Sequence, residues 1–72
     1  MIDSKTRLQE YSLKKFKALP IYKLISNTGP RHKPNFKISV KIKDSKTVIA
    51  DGSSKKKAEQ AAAMKLLETF KI

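Results

Sequence analysis

The sequence predicts an α+β domain of order α-β-β-β-α, a three-stranded antiparallel sheet with two helices packed on one face. Three observations carry this. In "FKISVKIKD", Phe36, Ile38, Val40 and Ile42 alternate with Lys37, Ser39, Lys41 and Lys43, the period of a strand with one buried and one wet face. The alanine-rich stretch from Ser54 to Phe70 carries Ala58, Ala62, Leu66 and Phe70 at four-residue intervals, a helical stripe. Between them, "TVIA" follows the alternating segment after only "DSK", which fits an antiparallel hairpin. A sheet with one apolar face must cover it, and two helices do so.

Taken in order, Met1–Ser4 reads as a short lead-in, with Ser4 as N-cap of a helix over "KTRLQEYSLKKFKAL". Leu8, Tyr11, Phe16 and Leu19 can share one face of that helix, and Pro20 closes it. "IYKLIS" is a first strand. "NTGPRHKPN" is a loop, broken by Gly29, Pro30 and Pro34. "FKISVKIKD" is the second strand, "TVIA" the third, and "DG" ends it. The small alanines of the last helix permit a close approach to the sheet or to the first helix. Residues 1–72 form one domain, with no repeat or linker.

A chain of 72 residues buries only about 60% of the surface it exposes when unfolded, so its stability is modest. It has no cysteine, so it has no disulfide and suits a reducing compartment, the cytoplasm. No apolar run nears the roughly 18 residues of a membrane span, and the polar start lacks a signal-peptide pattern. The net charge of +11, from 17 basic against 6 acidic residues, calls for a polyanion: nucleic acid first, an anionic membrane surface second. Fifteen of the 17 are lysine, a point charge suited to phosphates, whereas arginine is the usual reader of base edges. A lysine-rich solvated surface is the plainer alternative.

Catalysis by this chain is close to excluded on the residues available. One histidine and no cysteine cannot assemble a zinc site. The carboxylates are scattered, and two glycines do not make a phosphate-cradling loop. No cofactor is expected.

Three clusters remain. Thr6, Gln9, Glu10 and Leu13 fall at i, i+3, i+4 and i+7, one helical face distinct from the core stripe. Glu10 suits a partner that donates hydrogen bonds, as the RNA 2′-hydroxyl does; otherwise it pairs with Lys14. The loop "GPRHKP" presents Pro30, Arg31, His32 and Lys33, stiffened by prolines, or is an ordinary basic hairpin loop. Ser54, Lys55, Lys56 and Lys57 begin the last helix. Cations there oppose the helix dipole unless a phosphate sits in front of it.

With these three clusters, the chain resembles a double-stranded RNA-binding domain, from about Lys5 to Phe70. "LQEY", "GPRHKPNF" and "GSSKKKAEQAAA" carry the likeness. The similarity is nearest to the C-terminal domain of bacterial ribonuclease III, notably in "KTRLQEY" and "SKKKAEQAAA". The resemblance implies a clamp on one side of A-form RNA, contacting two successive minor grooves and the phosphates between them over about 16 base pairs. Thr6, Gln9, Glu10 and Leu13 would enter one minor groove and Pro30 to His32 the next. Lys55 and Lys56 would meet the phosphates. Lys57 fills a variable position, and Ser54 is a cap or a phosphate donor.

Two positions depart from the family pattern. Ser12 stands where an apolar residue is usual, and Leu13 where glutamine is usual. That exchange admits a slightly rotated helix. Glu59, a lysine in some eukaryotic members, fits the bacterial branch. The acidic signature that holds the nuclease metal ions is missing, so the resemblance implies a fragment that binds duplex RNA without cutting it. It is expected to be monomeric. The parent would be an RNA-processing endonuclease, homodimeric through its nuclease domain and using Mg²⁺ there. Two other classes stay open: a ribosome-associated or protein-interaction module using exposed Leu13, and, last, a binder of anionic membrane.

Overall fold

The computed structural model describes residues 3–70. The order is α1 (Ser4–Phe16), β1 (Ile21–Thr28), β2 (Asn35–Lys41), β3 (Val48–Gly52) and α2 (Lys55–Thr69), with the three strands antiparallel in the order β1-β2-β3. This is the architecture expected. Met1 and Ile2 of the expected lead-in lie outside the described residues.

Helix α1 begins one residue earlier than expected. Asp3, not Ser4, is the N-cap, and its carboxylate accepts the Thr6 N–H at 2.8 Å. Either residue type can cap, but the carboxylate adds a negative charge that suits the dipole. The helix also stops short of Leu19. Lys17 turns left-handed at φ 59° and donates its N–H to Leu13 O at 3.0 Å, a common helix stop. Leu19 is therefore off the helix and 59% exposed, while Leu8 is buried and Tyr11 and Phe16 are half-buried against the core.

Ser12 settles the orientation of α1. It is fully buried, and its hydroxyl donates to Ala18 O just past the helix end. Leu13 stands outward at 40% exposure. The helix is not rotated to bury Leu13. The polar residue enters the core side because it has an acceptor there, which removes the cost of an unpaired buried hydroxyl.

The strands shift the expected boundaries. β1 runs on through Asn27 and Thr28, which pair with Phe36 and Asn35 across a register shift between Leu24 and Ser26. The connecting loop is thus only residues 29–34. β2 stops at Lys41; Ile42 stays buried but lies in a turn closed by Ser45, whose Oγ accepts the Ile42 N–H at 3.0 Å. "DG" continues β3, since Asp51 and Gly52 pair with Lys37 and Phe36. Ser39, expected on the wet face, is 5% exposed. It is small and lies in the central strand, between Lys23 and Ile49.

The core joins Leu8 of α1, Ile38, Val40 and Ile42, and Ala58, Ala62, Ala63, Leu66 and Leu67 of α2. Fully burying one such leucine is worth about 1.5–3 kcal/mol. The two helices run parallel: Lys5 meets Glu59 and Gln60, and further along the Tyr11 ring stacks on Phe70 at 5.0 Å. Both helix N-termini are therefore on the same side of the molecule.

Candidate nucleic-acid interface

Thr6, Gln9, Glu10 and Leu13 are all exposed on α1, on the side away from buried Leu8 and Ser12. The alternative pairing of Glu10 with Lys14 does not form; the ion pair among the described residues is Lys5–Glu59. Glu10 is left facing solvent.

The loop is built around Gly29 and a tight turn. Gly29 has φ +89°, and a Cβ there would lie 2.7 Å from Lys33 O. This left-handed, crowded position favours glycine. The Lys33 N–H then donates to Pro30 O at 2.9 Å, which turns Arg31 and His32 outward. Pro30, Arg31, His32 and Lys33 are all exposed. The pairing of Phe36 with Gly52 brings this loop to the end of the sheet where α2 begins. A cleft between the two is lined by Lys33, Pro34, Asn35, Asp51, Gly52 and Ser53. Asn35 and Asp51 were not foreseen there; the Asn35 amide donates to Asp51 Oδ2 at 3.0 Å and ties β2 to β3 under the cleft.

At the start of α2, Ser54 is the N-cap as expected. Its Oγ accepts the Lys57 N–H at 3.0 Å. The N–H groups of Lys55 and Lys56 have no acceptor among the described residues, and their side chains, with that of Lys57, are exposed and free of ion pairs. The start of α1 is different: Thr6 N–H is held by Asp3, and Lys5 N–H by Gln60 Oε1 at 3.1 Å. Both helix starts carry a side-chain cap, but α1 gains a second acceptor from Gln60, whereas at α2 the Lys55 and Lys56 N–H groups stay open to an anion.

The structure thus brings two of the three clusters together through the helix pair, and joins the third to them through the β2–β3 pairing. Sequence reasoning missed Lys5 and Gln60 at the seam, and took Glu59 only as a mark of lineage. Contacts across 54 and 55 residues leave no local pattern to read.

Among the described residues, no group of three His, Cys, Asp or Glu could hold a metal ion, and no helix is long and apolar enough to cross a membrane.

Comparison with known proteins gives a consistent picture. Residues 4–69 match the model of the double-stranded RNA binding motif. The chain is 68% identical over 71 residues to "Ribonuclease 3" of Pelagibacter ubique, covering 97% of this chain and 32% of that protein. It is 48% identical over 66 residues to "Ribonuclease 3" of Anaplasma marginale, covering 92% and 28%. It is 52% identical over 64 residues to that of Leptospira interrogans, covering 89% and 26%. The chain therefore spans about a third or less of the length of these relatives. Its fold matches the solution structure of DRB4 dsRBD2 with a TM-score of 0.68 at 30% identity, over 97% of both chains.

Proposed function

The chain belongs to the double-stranded RNA binding motif family, and from that premise we propose that it grips A-form RNA by shape, as the substrate-binding domain of a ribonuclease III that processes structured RNA. Lys55 and Lys56 meet phosphate oxygens with their ammonium groups and free N–H groups. Thr6, Gln9, Glu10 and Leu13 lie in one minor groove. Pro30, Arg31 and His32 enter the next, with Lys33 beside them. Lys57 and Ser54 flank the phosphate row. Phosphate contacts carry no sequence information; preference for RNA over DNA comes from α1 and the loop, which can meet 2′-hydroxyls.

The observation that supports this reading most is the contrast between the helix starts. Seventeen basic against six acidic residues give the chain its +11 charge, yet among the described residues neither ion pair nor acceptor occupies Lys55 and Lys56 at α2. A phosphate in front of the helix turns three unfavourable features into favourable ones.

The nuclease activity, its Mg²⁺ and its dimerisation belong, on this proposal, to the part of the relatives' length that this chain does not span. The domain itself acts as a monomer without a cofactor. The cysteine-free sequence supports a cytoplasmic location.

The test is a comparison of matched 20-base-pair duplexes of RNA and DNA, by fluorescence anisotropy at one salt concentration. RNA is expected to bind much more tightly. Equal affinities would reject shape-selective recognition.

A further inference from the structure

One residue ties the two expected RNA-facing surfaces together. Lys5 Nζ lies 2.9 Å from Glu59 Oε1, and the Lys5 backbone N–H donates to Gln60 Oε1 at 3.1 Å. The same ammonium stands 5.1 Å from the centre of the Tyr22 ring. Lys5 immediately precedes Thr6, the first residue of the α1 face. Glu59 and Gln60 lie one turn along from Lys55 and Lys56. The seam therefore joins the base of one surface to the base of the other.

Glu59 makes little sense as a surface residue. A carboxylate one turn from a phosphate row opposes a polyanion. Its side chain is only 18% exposed, and it is turned onto Lys5, which neutralises it. Gln60 is equally specific: its side chain caps a helix other than its own. Each contact holds α1 to α2 at the end that carries the two expected RNA-facing surfaces.

We propose that Lys5, Glu59 and Gln60 are positioning residues for duplex recognition, fixing the offset between the minor-groove face of α1 and the phosphate-binding start of α2. This rests on the duplex-binding reading above. The separation between a minor groove and the neighbouring phosphate row is set by the A-form helix. A domain that touches both at once gains the second contact cheaply only if its two surfaces are held at the matching offset beforehand.

The test uses Glu59→Gln and Gln60→Ala in this chain, with Lys55→Ala/Lys56→Ala as control. Affinity for a 20-base-pair RNA duplex is measured across a salt series, and folding is followed by thermal melting. Glu59→Gln is nearly isosteric and raises the net charge by one, so charge alone predicts tighter binding. Positioning predicts the reverse: both variants stay folded and bind about threefold to tenfold more weakly, with the salt slope of the wild type, because no phosphate contact is removed. Unchanged or tighter binding by Glu59→Gln, with weakened binding by the lysine control, would overturn the positioning role and leave duplex binding intact. If the lysine control is also unchanged, the start of α2 is not on phosphate and the positioning role, which needs that contact, falls; a wild-type chain that does not prefer the RNA duplex to DNA would overturn the duplex-binding reading itself.

Discussion

A Cβ on Gly52 would lie 2.4 Å from the backbone nitrogen of Ala58, so the end of β3 and the first turn of α2 meet with no room for a side chain. This contact sets where Lys55 and Lys56 stand relative to the sheet and to the loop across from Gly52. Gly52→Ala must push strand and helix apart. It is expected to lower stability by about 3 kcal/mol, seen as a fall in the urea midpoint. An unchanged midpoint would mean that α2 can shift freely on the sheet.

Lys55→Ala/Lys56→Ala is expected to leave the melting temperature within a degree or two, since both side chains are exposed and make no ion pair among the described residues. Its duplex binding should lose salt dependence, by up to about two in the slope of log K against log salt. A full wild-type slope would take the helix start off the phosphates.

Leu13 stands where the family usually has glutamine, and it faces outward. Leu13→Gln should change stability by less than about 0.5 kcal/mol. If α1 enters a minor groove, the amide gains a hydrogen bond there and RNA affinity rises about threefold. Titration with the same duplex tests this; a loss of affinity would mean that the leucine itself packs on the sugar edges.

Stability in acid should depend on Asp3. Its carboxyl is held below the ordinary value of 3.8, first by the bond from the Thr6 backbone N–H and then by the Thr6 side chain. A carboxyl depressed by folding stabilises fully above its unfolded pKa and loses that contribution as pH falls through the folded one. Melting temperature should therefore drop as pH falls below about 4, and Asp3→Asn, which keeps a cap but cannot titrate, should drop less. Parallel acid limbs in the two proteins would contradict the cap.

At the alkaline end the relevant group is Tyr22. Burial first, and the charges of Glu59 and Asp3 after it, push its phenol up to about 12 from 10.0. A group whose folded pKa is raised contributes fully below the unfolded value, and the contribution fades as pH rises towards the folded one. The hydroxyl is buried and without a hydrogen-bond partner among the described residues. Tyr22→Phe should then be neutral or slightly stabilising at pH 7, and its stability relative to wild type should rise between pH 10 and 12. A clear loss at pH 7 would show that the hydroxyl has a partner.

The element order and the buried faces of β2 and α2 were legible because each is a local periodicity. Phe36, Ile38 and Val40 alternate, and Ala58, Ala62 and Leu66 recur with the helical turn. The boundaries were less so. Asp3 and Ser4 are both good caps side by side, and nothing local chooses between them. Leu19 fits a helical stripe by spacing, but Lys17 takes a left-handed turn before the chain reaches it. Ser39 reads as a wet-face residue until the strands on both sides of it are known.

The sequence by itself determined the order α-β-β-β-α, the three clusters and the kind of partner, because periodicity, turn residues and net charge are properties of neighbouring residues and of composition. Only the tertiary structure decided how the clusters stand to one another. Parallel packing of α1 on α2 brings their N-termini to one side, the Phe36–Gly52 pairing adds the loop, and Lys5 finds Glu59 and Gln60 across the seam. Those relationships join residues far apart in the chain. They exist only once burial of the core has fixed the helices on the sheet, which no local pattern encodes.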